Sequence, residues 1–275
     1  MKRKTIQLLD TNISYVEKNV HSDQVIICLH ALGHSSKDYE KIFFDYRFDK
    51  FRIIAVDFPG HGQSTKGEKS VSSEYYAELL QRFITELDLK NIILLGNSIG
   101  GGVGIRLAAN KSNNIQLLQL ANSAGLDKGG IVGKYFLKFM VYFFNLGVKK
   151  SKRFPKYFRY YYNKVLTENE AHQRREEIIK EGYEIAPLLV EGWQSFSFQS
   201  EDLRPLAEKV ECPTLVTFAM KDRKVQYKRN IAGIKKFQNL TLIKYQAGHT
   251  PILENPKVFL DDLFGFINAN LLYTA

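Results

Sequence analysis

Short apolar runs alternate along the chain with longer stretches whose apolar residues recur at helical spacing. Residues 25–29, 52–57, 91–95, 115–121, 214–219 and 240–245 are nearly continuous in Val, Ile, Leu and Ala, the signature of strands buried on both faces. Residues 5–9 and 12–17 form a further pair split by Asp10-Thr11, which reads as a hairpin. Helices fit between these runs at 36–46, 73–88, 99–110, 225–237 and 256–271. Eight strands in this alternation predict an α/β fold with a mostly parallel sheet and helices on both faces.

One interval breaks the rhythm. From 125 to 199 no strand pattern appears, and the chain turns aromatic and basic, with Tyr135, Phe136, Phe139, Tyr142, Phe143, Phe144, Phe158, Tyr160, Tyr161, Tyr162 and Trp193. An insertion of this length between the sixth and seventh strands predicts a helical cap over residues 125–199, with residues 1–124 and 200–275 forming the core. In open α/β sheets the ligand crevice lies at the carboxyl ends of the strands, so such a cap would roof the site. Phe139, Phe143 and Trp193 are its candidate pocket-lining residues.

The chain of 275 residues carries a net charge of +10, and the excess is local. Residues 134–180 hold twelve Lys or Arg against four Glu, a balance of +8. No nucleic-acid-binding motif accompanies these residues, so nucleic acid is not an expected partner. The stretch 131–148 is long and apolar, but Lys134 and Lys138 would each cost about 3 kcal/mol at a bilayer centre, which argues against a membrane span. Two readings of it stand: a cap helix whose aromatic face covers the pocket, or an interfacial helix that, with Lys149, Lys150, Lys152 and Arg153, touches an anionic membrane surface. The two cysteines, Cys28 and Cys212, sit in or beside apolar strands and suggest no disulfide framework. After Met1-Lys2-Arg3-Lys4 the chain is too short in apolar residues for a secretory leader, so the mature chain is expected to begin at Met1 in the cytoplasm.

The chemistry concentrates at one turn. Gly96-Asn97-Ser98-Ile99-Gly100-Gly101 lies between the apolar run 91–95 and an alanine-containing helix, so Ser98 sits on a sharp strand-to-helix turn, the context of an activated nucleophile. A serine hydroxyl needs a base, and the base needs an orienting acid. His249 follows the last strand and Asp222 follows the seventh, both at the edge Ser98 occupies; Asp127 is the alternative acid. Backbone N–H groups of Ile99 and Leu32 are the candidate oxyanion donors. Of the other histidines, His21, His34 and His172 read as surface residues, His61 sits in a Gly-Pro turn, and His30 ends a strand where it can orient a loop. No His, Cys and carboxylate cluster has metal-ligand spacing, and neither metal nor organic cofactor is expected.

Four motifs carry a resemblance: His30-Ala31-Leu32-Gly33, Asp57-Phe58-Pro59-Gly60-His61-Gly62-Gln63-Ser64, Gly96-Asn97-Ser98-Ile99-Gly100, and Gly248-His249 with Glu254-Asn255-Pro256. With them the chain resembles the Ser-nucleophile α/β-hydrolases, the esterase, lactonase and carbon–carbon-bond hydrolase group, over residues 25–260. The resemblance implies an α/β-hydrolase fold, a Ser98–His249–Asp222 triad in the chain order of that family, and a structural turn at 57–64 near the floor of the site. It departs at Ala31, where the family often has Gly, and at Thr250, where meta-cleavage carbon–carbon hydrolases often place Trp. Ser rather than Asp at 98 disfavours dehalogenase and epoxide hydrolase chemistry. The expected activity is hydrolysis of a carboxylic ester or related acyl bond of a small molecule; the alternatives are lactone or carbon–carbon-bond hydrolysis, and a non-catalytic ligand sensor with a capped pocket.

Overall fold

The computed structural model describes residues 1–111, 114–127 and 129–271; residues 112, 113, 128 and 272–275, within the predicted core and cap ranges, lie outside the described residues. Eight strands are present: β1 Lys2–Leu8, β2 Thr11–Lys18, β3 Val25–Leu29, β4 Arg52–Val56, β5 Ile92–Asn97, β6 Ile115–Ala121, β7 Thr214–Ala219 and β8 Leu240–Tyr245. The described helices are α1 Glu40–Phe44, α2 Ser73–Glu86, α3 Ile99–Ala108, α4 Ile131–Val148, α5 Phe154–Tyr162, α6 His172–Lys180, α7 Gly182–Ser195, α8 Arg204–Ala207, α9 Tyr227–Ile234, α10 Pro251–Glu254 and α11 Pro256–Leu271. They surround one sheet of order β1-β2-β4-β3-β5-β6-β7-β8. The β1–β2 and β2–β4 pairings are antiparallel and the other five are parallel.

The period of two in the buried strands sorts their side chains onto two cores. In β3, Val25, Ile27 and Leu29 face the layer of α2 and α3, while Ile26 and Cys28 face the layer of α1 and α11. Every residue of β3 is buried, which is why the run is apolar without alternation. The first strand begins three residues earlier than its apolar pattern, at Lys2, because its cations find acids. Arg3 reaches Asp57 Oδ2 at 2.7 Å and Lys4 pairs with Glu17 on the neighbouring strand.

The predicted helix at 36–46 is broken into pieces: a 3₁₀ turn at Ser36–Tyr39, α1, and a second 3₁₀ turn at Tyr46–Phe48. Asp45 ends α1 in extended conformation and accepts the Arg47 N–H, capping the turn that follows.

Between β6 and β7 the chain is helical, from α4 through α8. Its own aromatic cluster holds it: Phe143, Phe144, Phe154, Phe158 and Tyr162 are buried, with neighbouring ring centroids about 5–6 Å apart. Each such ring contributes roughly 1.5–3 kcal/mol by burial. The helix α4 lies along α7, with Phe136 and Phe144 both against Trp193. Polar ties bind this segment to the sheet domain. Arg174 on α6 reaches Asp38, Glu254 accepts the Thr167 and Glu168 N–H groups, and Glu201 accepts from the Ser73 N–H and hydroxyl.

Candidate active site

The turn from β5 into α3 is tight enough to dictate its residues. A Cβ on Gly96 would lie 2.5 Å from the Gly100 carbonyl oxygen, and one on Gly100 would lie 2.3 Å from the Leu29 carbonyl oxygen. Between them Ser98 adopts φ 55° and ψ −116°, a conformation that costs a non-glycine residue about 1–3 kcal/mol. The surroundings hold it there: the Ser98 N–H donates to Ala121 O at 3.0 Å, and its carbonyl accepts from Gly102 and Ala124. The serine is thereby presented beyond the strand end, at the wall of a cavity.

Two other loops converge on that cavity. His249 follows β8, and its backbone is gripped at both ends, donating to Val165 O at 2.8 Å and accepting from Asn97 Nδ2 at 3.0 Å. Asp222 follows β7, and its Oδ2 lies 2.6 Å from His249 Nδ1. The same carboxylate accepts from the Asn122 side chain and from the Lys224 and Val225 N–H groups, so its lone pairs are well occupied. Burial pushes the Asp222 carboxyl up, but the His249 charge and these donors outweigh it and hold it below its ordinary value. Burial likewise pulls the His249 imidazole down, and the neighbouring Asp222 reverses this, leaving it above its ordinary value. An ionised Asp222 fixes the proton of the neutral imidazole on Nδ1 and frees Nε2 as an acceptor. Asp127, the alternative acid, instead bonds Arg229 at 2.7 Å and the Gly129 N–H.

The loop after β3 brings Leu32 to the cavity wall. Neither the Leu32 N–H nor that of Ile99, the first residue of α3, has a partner among the described residues. Two buried histidines shape this loop. Gly33 N–H donates to His61 Nε2 at 3.0 Å, and Phe58 N–H donates to His30 Nε2 at 3.0 Å. Both rings therefore carry their proton on Nδ1, facing the Pro59 and Ala31 carbonyls. Burial lowers both, His61 to about 3. Asp57 anchors the same region, accepting from Arg3, Ser36 and Gln63 at 2.7–3.2 Å. The 57–64 segment is thus a brace under the loop.

The cavity has a volume of about 320 Å³. Its lining combines apolar and aromatic side chains, Phe136, Leu137, Tyr161, Val165, Leu189 and Trp193, with the charged Asp127, Lys134, Glu201, Asp202, Arg204 and Arg229. Lys224 also lines it, half-buried, with its ammonium 4.5 Å from the Tyr161 ring centroid. Among the pocket candidates, Trp193 lines the cavity, whereas Phe139 and Phe143 do not. Phe139 is 59% exposed on the far side of α4, and Phe143 is buried among Phe144, Phe154 and Tyr161. Aromatics surround α4 on every side, so helical spacing could not choose Phe136 and Leu137 over them.

One polar group at the cavity departs from its sequence reading. His34, read as a surface residue, is buried, lines the cavity, and bonds Asp38 Oδ2 through Nδ1 at 2.6 Å. Asp38 in turn accepts from Arg174 Nε at 2.9 Å. The i,i+4 spacing of His34 and Asp38 is the signal that sequence reading could have used.

A family model described as the alpha/beta hydrolase fold matches residues 24–256. A Mycoplasma genitalium protein named as an esterase/lipase is 35% identical over 68 residues, covering 24% of this chain and 25% of that protein. The matched stretch covers 31% of the length of the first curated relatives, which are uncharacterised mycobacterial proteins. An esterase from Exiguobacterium antarcticum superposes with a TM-score of 0.82 at 20% identity, over 96% of this chain and 98% of that one. An enol-lactonase from Burkholderia xenovorans gives 0.74 at 17% identity, over 96% and 100%.

Proposed function

The chain belongs to the α/β-hydrolase fold family, and we propose that it is a serine hydrolase acting on a carboxylic ester of a small-molecule substrate. The observation that carries this reading is the 2.6 Å Asp222–His249 pair at the cavity that Ser98 also lines, with Ser98 on a left-handed turn. In this reading Ser98 Oγ attacks the ester carbonyl while His249 Nε2 takes its proton. Asp222 keeps the imidazole in the required tautomer and stabilises its charged form. The unpartnered Leu32 and Ile99 N–H groups receive the developing oxyanion. His249 then returns the proton to the departing alkoxide, which leaves as the alcohol, and the acyl-Ser98 ester remains. A water deprotonated by His249 attacks that ester, and its collapse frees the acid and restores the serine.

The apolar and aromatic part of the lining suits an acyl chain, and the cavity volume limits it to a small or medium one. The cytoplasm is the proposed compartment, since Cys28 and Cys212 are both free thiols.

Hydrolysis of p-nitrophenyl esters of increasing acyl length, with Ser98→Ala and His249→Ala alongside, tests the reading. We expect turnover that falls about a thousandfold or more in each variant. An inert wild type whose Ser98 still reacts with a fluorophosphonate would overturn the ester assignment and turn the search to lactones and vinylogous diketones. An unreactive Ser98 in a protein that retains a bound ligand would point to a sensor.

A further inference from the structure

A helix packed on a water-soluble domain normally hides its apolar stripe and shows its charges. Helix α4 shows both. Its inner side supplies Phe136 and Leu137 to the cavity and buries Met140, Phe143 and Phe144. Its outer side carries Ile131, Tyr135, Phe139 and Tyr142 at 74%, 69%, 59% and 66% exposure. The spacings of four, four and three residues place these on one stripe along the helix.

The charge on the same surface is of one sign. Lys134 and Lys138 sit between the exposed rings, and Lys149, Lys150, Lys152, Arg153 and Lys156 follow at the end of the helix and beyond; all are exposed. None forms an ion pair among the described residues, and from 131 to 156 the sequence contains no Asp or Glu. Arg159 on the next helix, by contrast, pairs with Glu176.

We propose that α4 and the basic turn after it seat the protein on an anionic phospholipid surface. Exposed Tyr and Phe suit the boundary between acyl chains and headgroups, and seven unpaired cations suit a negative surface potential. A second copy of the chain fits poorly, because two such faces would bring like charges together. The helix lies flat rather than crossing, since no described helix is long and apolar enough to span a bilayer. Because the inner side of α4 lines the cavity, this seating sets the cavity beside the lipid. The inference goes beyond the ester-hydrolase reading and is read by binding rather than by turnover.

The test is sedimentation of the full chain with vesicles of mixed phosphatidylglycerol and phosphatidylcholine, against pure phosphatidylcholine, at low and high salt. The expected result is binding to the anionic vesicles at low salt, release as salt rises, and at least about tenfold weaker partition for Tyr135→Ser/Phe139→Ser/Tyr142→Ser and for Lys138→Glu/Lys149→Glu/Lys150→Glu. Turnover of a water-soluble ester by these variants should match the wild type, which shows that they are folded and keeps this test separate from the catalytic one. No pelleting at low salt, or pelleting that the aromatic substitutions leave unchanged, would overturn the proposal. So would a dimer in sedimentation velocity that the aromatic variant dissolves without any vesicle binding, or tighter binding to a nucleic-acid duplex than to the vesicles.

Discussion

Asp222 Oδ2 and His249 Nδ1 lie 2.6 Å apart, and the pair is closed to water on the aspartate side, where Asn122 and two backbone N–H groups complete the carboxylate. In the proposed mechanism Asp222 is therefore an orienting charge rather than a proton carrier. Asp222→Asn should leave the backbone in place but disturb the tautomer of His249. Steady-state ester kinetics should show kcat lower by about 10³–10⁴ with KM little changed.

In the proposed mechanism the same pair sets the pH profile. The base must be neutral to accept the serine proton, and Asp222 holds its pKa above the ordinary value. Activity should therefore rise with pH along a limb centred above about 6.5, since the free enzyme gains its neutral base only past the raised pKa. In Asp222→Asn the limb of the residual activity should move to lower pH, because burial then acts on His249 without its countercharge. A limb that stays in place in that variant would separate the observed titration from His249.

His61, whose pKa is shifted in the opposite direction, offers a stability measurement. Burial lowers its pKa to about 3, so between that value and about 6.5 the unfolded chain binds a proton that the native one refuses. Its contribution is intact above about 6.5 and declines as pH falls through this window. Chemical denaturation should show stability falling from pH 7 to pH 4, with a smaller slope in His61→Gln. The substitution also removes the ring that accepts the Gly33 N–H, which should cost about 1–3 kcal/mol and lower kcat through a looser Leu32 loop.

Arg174 ties the cap to the core through a buried acid. Removing it as Arg174→Ala would leave the Asp38 carboxylate, 1% exposed, with only His34 for a partner. Urea unfolding should register a loss of about 3–5 kcal/mol, the usual result when one partner of a buried ion pair is deleted. Because His34 lines the cavity, the same variant should raise KM more than it lowers kcat.

How much of this was legible beforehand depended on whether local pattern or tertiary contact decided each residue. The sheet could be read directly: strands buried on both faces, such as Val25–Leu29 and Thr214–Ala219, must be apolar throughout. The turn at Ser98 was legible because Gly96 and Gly100 are sterically obligatory there. The spacing of Asp222 and His249 after consecutive strands likewise indicated loops that the structure brings together at one sheet edge. Of His34 only its i,i+4 spacing to Asp38 was open to sequence reading. Its partner Asp38 stays ionised inside because it is bonded by His34 and by Arg174, the latter 140 positions along the chain from His34. The pocket wall was misread at Phe139 and Phe143 because α4 carries rings all round, and only its packing against α7 distinguishes inner from outer. The break in the 36–46 helix arises from Asp45 capping its own downstream turn, a local bond that apolar periodicity does not encode.

The segment 165–168 also bears on how the lid can move. Val165 O holds the His249 N–H, while Glu254, just beyond the histidine, holds the N–H groups of Thr167 and Glu168. Lifting this side of the cap must either break those bonds or drag the histidine with it. The position of this edge of the roof is therefore coupled to that of the proposed base. The α4 residues that line the cavity, Gly133, Lys134, Phe136 and Leu137, share no such bond with the histidine loop among the described residues, so a shift of that helix would not pull on it.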